Sequence, residues 1–420
     1  NRIPANRIDP VATKLLDPKI VPLPNLGVDR HAFIVPGGTA TDQMLVKTDA
    51  VLWSRQNLSV RLLKTYGTRG LSAGPLPAFS RIQNNRPSQA ALNWVWTFSP
   101  TALNDFRFTA NRISNVSRPT PDPATAADLG LKFAADSGYF PDFVVSGYAE
   151  IGRYNGVFGN VSNTFQWMDN YTRITGRHAF KAGVQVTRVQ FNFLSEFFSA
   201  GGYSFNGTFS KNALADVLLG LPSGFSQNSV SGGASRVTIY SFFAQDDFKV
   251  NRRLTLNLGL RYDLQPWPSE RNNKFLTFHV DRWRQGLRSK VYPSAPPGMV
   301  YVGDLGSDSG SLFGGTRHRK WAPRFGFAYD LTGDGRTSLR GSYGIFFEAP
   351  DLDRFAQLQA PPFMLSVAIN APQSFANPYL GTVSPFPYTP GPNFDFNKLL
   401  PLSQRLPWPS YTCPYHQHWN

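Results

Sequence analysis

Residues 253–264 read Arg-Leu-Thr-Leu-Asn-Leu-Gly-Leu-Arg-Tyr-Asp-Leu. This strict two-residue alternation constrains the fold more than any other feature of the chain. Leu254, Leu256, Leu258, Leu260, Tyr262 and Leu264 fall on one side, and Thr255, Asn257, Gly259, Arg261 and Asp263 on the other. A helix would mix the two sets; a strand keeps them apart, because successive side chains point to opposite faces. Just upstream, Tyr240, Phe242, Ala244, Asp246 and Phe248 alternate with Ser241, Phe243, Gln245 and Asp247. Only Val250-Asn251-Arg252 separates the two runs, so a β-hairpin is predicted.

The unit recurs. Hairpins are predicted near 43–66, 90–113, 163–193, 237–264 and 323–347. Their turns are expected at Ser54–Asn57, Ser99–Ala102, Gly176–Arg177, Val250–Arg253 and Thr332–Arg336. Between hairpins the connections are long and rich in Gly, Pro, Ser and Asn, covering about 67–87, 115–159, 194–235, 265–322 and 349–410. A short helix is expected within one of them, at Ala213–Leu221. Long connections of this kind usually signal function or disorder. A soluble sandwich has no reason to place every long loop at one end, whereas outer-membrane barrels join short periplasmic turns with long extracellular loops.

Composition sharpens the choice. No run approaches the ~18 apolar residues of a membrane-spanning helix, but barrel strands alternate and average out. Charged residues make up only 16% of the chain and aromatics 14%. The polar faces carry Thr, Ser, Asn, Gln and Gly rather than the Lys and Glu of a surface meeting bulk water. The expected fold is therefore all-β: a partial antiparallel transmembrane β-barrel over residues 1–420, an open curved sheet with long extracellular loops. Leu256, Leu258, Leu260, Tyr262, Phe325, Phe327, Tyr329 and Tyr343 are expected to face lipid, with Trp94 and Trp96 in an interfacial girdle. The formal charge of +15 raises nucleic acid and anionic membranes as partners, but the cations are scattered singly. The densest cluster is Arg317, His318, Arg319 and Lys320. The single cysteine, Cys413, excludes an internal disulfide.

Two long stretches resemble the β-barrel of TonB-dependent outer-membrane receptors of the Oar-like branch. Phe243–Asp263 (FAQDDFKVNRRLTLNLGLRYD) resembles that branch's recurrent hairpin, and Trp321–Glu348 (WAPRFGFAYDLTGDGRTSLRGSYGIFFE) its Ala-Pro-Arg hairpin. Asn163–Gln185 and Ile3–Asn25 are similar to further segments. The resemblance implies an outer-membrane location, import of a bulky solute of the siderophore, oligosaccharide or peptide class, and coupling to the TonB complex through a plug domain. Neither a plug nor a signal peptide is visible in the sequence, so an interior piece of a barrel is expected.

Arg107, Lys181, Arg261, Arg324 and Arg340 share the polar faces with Asn257 and Asp263 and are candidate lumen-lining residues. They could attract anionic solutes, pair with carboxylates such as Asp105, Asp263 and Asp330, or anchor a plug. Asp246 and Asp247 are adjacent on a strand and point to opposite faces, so they cannot converge on one substrate atom. Asp334 reads as a turn residue, and Asp304 with Asp308 as a flexible loop rather than a calcium site. Cys413, His416 and His418 are the weak candidate for a soft metal; the two His would share a strand face, but no supporting shell is evident, and no cofactor is expected. No nucleophile elbow, phosphate loop or His-Glu-x-x-His motif occurs, so no enzyme is expected. Two rivals to a receptor remain: a surface barrel serving adhesion or secretion, and a soluble basic β-protein binding nucleic acid. The partners expected of a receptor are outer-membrane lipid, an unknown solute and no nucleic acid.

Overall fold

The computed structural model describes residues 3–28, 30–34, 37–72, 74–153, 155–305, 312, 320–349, 351–353, 361–389, 391, 394–396 and 414–420. Along the chain come α1 (Pro10–Leu15), β1 (Thr39–Trp53), β2 (Gln56–Ser72), β3 (Ser80–Asn85), β4 (Ser88–Ser99) and β5 (Ala102–Pro119). Next are α2 (Ala126–Leu129), β6 (Asp142–Val145), β7 (Asn155–Thr175), β8 (His178–Phe197), β9 (Gly202–Phe205), α3 (Ala213–Leu218) and β10 (Gly224–Asn228). Then follow β11 (Ser231–Lys249), β12 (Leu254–Leu264), β13 (Ser269–Glu270), β14 (Leu276–Phe278), α4 (Val280–Arg284) and β15 (Met299–Tyr301). The last are β16 (Trp321–Asp330), β17 (Ser338–Phe347), β18 (Ser366–Asn370) and β19 (Tyr415–Trp419).

Among the described residues, thirteen strands form one antiparallel sheet, ordered β1-β2-β3-β5-β7-β8-β11-β12-β16-β17-β19, with β4 between β2 and β5 and β13 on β11. β3 and β4 are one strand in two pieces. Pairing with β2 passes from Lys64↔Ser88 to Gly67↔Asn85 without slip. Pro87, which has no N–H to donate, interrupts the ladder; its carbonyl still accepts from Thr65 N at 2.9 Å. The long connection expected at 67–87 is thus mostly strand. Its glycines and prolines suggested a loop, but neighbours on both sides supply the pairing that overrides local propensity. Strands β5, β7, β8 and β11 likewise run several residues further than their alternation indicated.

Consecutive neighbours pair through short turns, and the turns themselves are tied together. Arg55 O accepts from Thr97 N, Thr101 O from Ile174 N, Arg177 O from Lys249 N, and Arg253 O from Asp330 N, all at 2.8–2.9 Å. All five turns therefore lie at one end of the sheet. In the tightest, Gly176 takes φ +57, a conformation that two-residue hairpins require and glycine adopts without strain. In the widest, Asp330 accepts from the Gly333 and Gly335 N–H groups at 2.8 and 3.0 Å.

Among the described residues the sheet does not close: β1 pairs only with β2 and β19 only with β17, which leaves an open edge at each side. Hydrogen bonding alone fixes the twisted ladder, but sealing a large barrel needs partners for both edges.

The long connections are not slack. At the end away from the turns, residues from four of them and from the N-terminal segment share the largest apolar core among the described residues. It includes Val11, Leu15, Leu76, Phe79, Leu129, Phe143, Tyr203, Val217, Phe225, Phe375 and Phe386. A second sheet, β18-β10-β9-β6, runs through this cap. Tyr203 stacks on Phe143 with centroids 5.4 Å apart and donates its hydroxyl to Phe375 O at 2.9 Å. The helices are short, and α1, α2 and α3 are capped by side chains: Asp9 accepts from Val11 N at 2.7 Å, Thr125 and Asp128 form a capping box, and Asn212 accepts from Ala215 N at 2.9 Å. Lys14 Nζ reaches Asp128 O at 2.9 Å, tying α1 to α2. The short helix expected at 213–221 is α3. Asp304, expected in a flexible loop, is buried and accepts from Ser289 Oγ and from the N–H groups of Lys290 and Tyr301 at 2.7–3.0 Å. It organises its loop, and Asp308 lies outside the described residues.

Candidate functional site: the concave wall

Alternation divides the side chains of the great sheet into two faces, and one face is hollow. A cavity of about 240 Å³ touches Arg107 on β5, Asn170 on β7, Lys181 and Gln185 on β8, Gln245 on β11, Arg261 on β12 and Arg324 on β16. These are six adjacent strands, which at roughly 4.8 Å spacing would span over 20 Å if flat. One small cavity can meet all of them only if the sheet curves toward that face. Two further hollows continue it, one of about 250 Å³ lined by Gln166, Thr187, Ser241 and Asp263, the other of about 280 Å³ lined by Asp247, Asn257, Ser342 and His418.

Four of the five cations singled out from the sequence thus converge on one cavity although they lie far apart in the chain. They are not equivalent. Arg107 pairs with Asp105 at 2.5 Å and Arg261 with Asp263 at 2.9 Å, each a two-residue step along one strand and so on one face. Arg324 lies over the Phe346 ring at 4.5 Å. Among the described residues, neither Arg324 nor Lys181 has a carboxylate partner. Arg340 is on the same face of the sheet but exposed, opposite Ala328 and nearer the turns, outside these cavities. Asn257 donates to Asp247 at 2.6 Å. Asp330 is engaged by its turn and pairs with no cation among the described residues.

The concave wall is not polar throughout. Toward the cap, Val189, Phe191, Val237 and Ile239 face inward and are covered by Leu352 from the connection after β17. Alternation marks these residues as one face but does not show that a distant loop will bury them.

The opposite, convex face carries Leu256, Leu258, Leu260 and Tyr262 of β12, with Leu258 opposite Phe325 and Phe325 opposite Tyr343. Phe327 and Tyr329 lie on the same face, opposite Leu256 and Leu254. Many of its large apolar side chains are exposed, among them Leu258, Leu260, Phe325, Phe242, Trp96 and Trp167. Trp94, Trp96 and Phe98 stack in sequence with centroids 6.0 and 4.5 Å apart. Polar groups bound this apolar zone at two levels. Near the turns, Asn104 donates to Asp169 at 2.6 Å and His178 bonds Asp246 at 2.6 Å. Toward the cap, Arg112 donates to Asn163 at 2.8 Å and Arg188 to Thr238 at 2.7 Å. From Asn104 to Arg112 is about 27 Å along the strand. From His178 to Arg188 is about 34 Å. At a tilt near 40° these become roughly 20–26 Å, the height of the apolar band of an outer-membrane barrel.

The remaining candidates behave as individual side chains. Asp246 and Asp247 point to opposite faces, toward His178 and Asn257. Asp334 is bonded to Thr332 and accepts from Arg336 N within its turn. His416 and His418 share one face of β19; His416 is bonded to Glu348, and Cys413 lies outside the described residues. Among the described residues no three His, Cys, Asp or Glu side chains gather in a way that could hold a metal ion. Arg317, His318 and Arg319 also lie outside them, while Lys320 is buried against Gln265. One feature escaped the sequence reading: in the cap, the Asp142 carboxyl lies buried against Glu150. Burial and this neighbour raise Asp142 to about 8. The nearby Arg153 is engaged by Asp122. The two carboxyls are eight positions apart across a turn, and no sequence periodicity marks them.

A curved antiparallel sheet with an apolar convex face, a polar hollow and all its tight turns at one end defines the class of membrane β-barrels. The particular family follows from the sequence: residues 1–420 match the outer membrane beta barrel domain, and the chain belongs to that family. It is an outer-membrane protein, which removes the soluble nucleic-acid-binding reading. The family is one of membrane barrels, in agreement with a sequence that offers no case for an enzyme. Among solved structures, the outer membrane transporter YddB from Escherichia coli is similar at 12% identity and TM-score 0.47, over 78% of this chain and 34% of that one. The ferric-catecholate import receptor Fiu from E. coli K12, in its closed form, is similar at 13% identity and TM-score 0.42, over 77% and 45%. FpvA of P. aeruginosa, bound to heterologous pyoverdines, is similar at 12% identity and TM-score 0.43, over 77% and 37%. The chain thus corresponds to less than half the length of these structures. No curated protein matches it.

Proposed function

We propose that this chain forms part of the barrel wall of a TonB-dependent receptor that imports a bulky solute of the siderophore, oligosaccharide or peptide class. The observation that carries the reading is the hollow lined by Arg107, Lys181, Arg261 and Arg324 on the concave face, below a folded cap. Two of these cations are neutralised by neighbours along their own strands. Lys181 and Arg324 are left to meet a solute or a plug. Donors fixed on rigid strands hold their geometry better than donors on loops, which suits a wall that a solute must pass. The resemblance of Phe243–Asp263 and Trp321–Glu348 to the Oar-like hairpins supports the same assignment. Energy coupling would come from the TonB complex through a plug domain, and lipid would cover the convex face.

The test is genetic and uses the natural gene. Deleting it should abolish growth on one nutrient source, and a copy carrying Lys181→Glu and Arg324→Glu should restore that growth poorly while still reaching the outer membrane. The cap's own apolar core favours a second reading, a surface protein that presents this cap to a partner. Undiminished growth on every source, with loss of surface adhesion or secretion, would select it.

A further inference from the structure

The convex face changes chemistry abruptly where the apolar zone ends on the cap side. Arg112, Asn163, Gln190 and Arg236 lie directly opposite one another across four strands, in one hydrogen-bonding row. Arg188 sits two residues below Gln190 on the same face. These three arginines are held by neutral acceptors. Arg112 donates to Asn163 Oδ1 at 2.8 Å, Arg188 to Thr238 Oγ1 at 2.7 Å, and Arg236 to Asn192 Oδ1 and Ser235 O, both at 2.8 Å. Among the described residues none of the three has a carboxylate partner, and each guanidinium has five N–H donors to place. Lys64 and Arg86 extend the same face further along the sheet. Of the carboxylates near this level, Glu196 is engaged by Val157 N at 2.6 Å, and Glu270, whose charge acts on Arg236, by the N–H groups of Ala234, Asn272 and Lys274 at 2.7–2.9 Å.

An uncompensated cation at the edge of a hydrocarbon layer is costly unless an anion meets it. We infer that this outward row of Arg112, Arg188 and Arg236 binds the phosphate groups of the outer-leaflet glycolipid. The inference rests on the convex face meeting lipid. The row sits about one membrane thickness from the polar pairs near the turns, which is where the phosphates of that leaflet lie. Planar guanidinium groups spaced along a rigid sheet suit bidentate contacts with phosphate oxygens, and the amides between them hold the guanidinium planes in place.

The experiment uses the full-length protein purified from outer membranes. Bisphosphorylated lipid A, the same lipid dephosphorylated, and inorganic phosphate are titrated separately, with binding read by native mass spectrometry and by the shift in Tm. Retention of the phosphorylated lipid and a raised Tm are expected, with neither for the dephosphorylated lipid or free phosphate. Arg112→Gln, Arg188→Gln and Arg236→Gln together should weaken binding by about a hundredfold. Equal binding of the dephosphorylated lipid, equal binding of inorganic phosphate, or unchanged binding by the triple variant overturns the proposal. If the triple variant does not fold, exposed Arg112→Gln alone should still weaken binding by about fivefold; no change there also overturns it. A spin label at Leu258 in the same preparation separates the two levels. If lipid-dissolved quencher reaches Leu258 but the phosphate series is flat, the row is wrong; if it does not reach Leu258, the lipid-facing reading itself fails.

Discussion

At the residue scale, adjacent positions on one strand should behave as opposites. Leu258 is exposed on the convex face, and its neighbour Asn257 points into the hollow, bonded to Asp247. In the full-length protein, Leu258→Arg should destabilise by roughly 2–4 kcal/mol and Asn257→Arg by little, because only the first places charge in lipid. Urea unfolding in vesicles measures both. Labelled Leu258→Cys should answer to a lipid-dissolved quencher and Asn257→Cys to an aqueous one; if both answer only to the aqueous agent, the convex face does not meet lipid. In the cap, Asp142 titrates near 8 rather than near 4 because burial and Glu150 disfavour its charge. The folded cap therefore binds a proton that the unfolded chain gives up. This contribution is complete below about pH 4 and is lost as pH rises toward about 8. Proteolytic nicking of the cap, relative to Asp142→Asn at each pH, should accelerate between pH 5 and 9. A constant ratio would mean the pair is not coupled to cap stability.

At the element scale, the hairpins were legible because two constraints agreed: alternation set the faces and short polar breaks set the turns. Where the two disagreed, neighbouring strands decided. Residues 80–97 look interrupted at Pro87, yet pair in one register with β2 and β5. Strand ends at 114–119 and 194–197 lack a clean apolar stripe because their outward faces mix the two kinds of residue, Ser114, Val116 and Arg118 on one and Leu194 and Glu196 on the other. Gly183 illustrates a close approach that no alternation reveals. A Cβ there would meet Asn170 Oδ1 and a Phe243 ring carbon, both at 2.6 Å, so the glycine makes room for both side chains in the wall of the hollow. Gly183→Val should cost about 1–3 kcal/mol through displacement of Phe243, read as a lower midpoint of urea unfolding. A midpoint within error of the parent would show that the ring moves freely.

At the scale of the whole molecule, the sheet has two unpaired edges among the described residues, β1 and β19, and open edges recruit other strands. The 420-residue chain refolded by itself in detergent should give oligomers and no compact, heat-modifiable band on electrophoresis. A monomer with that band would mean the edges find each other. The local alternation of apolar and polar residues by itself determined the strands, their two faces, the tight turns and the barrel class, because side-chain direction along a strand depends only on the neighbours in sequence. The sequence alone also placed Arg107, Lys181, Arg261 and Arg324 on polar faces. Only the tertiary structure decided that these four meet in one hollow, that the long connections share an apolar core rather than hang free, that Leu352 covers the upper wall, and that Asp142 faces Glu150. Each of these depends on contacts between residues far apart in the chain, set by sheet curvature and by which loops pack together, and no periodicity within a segment encodes them.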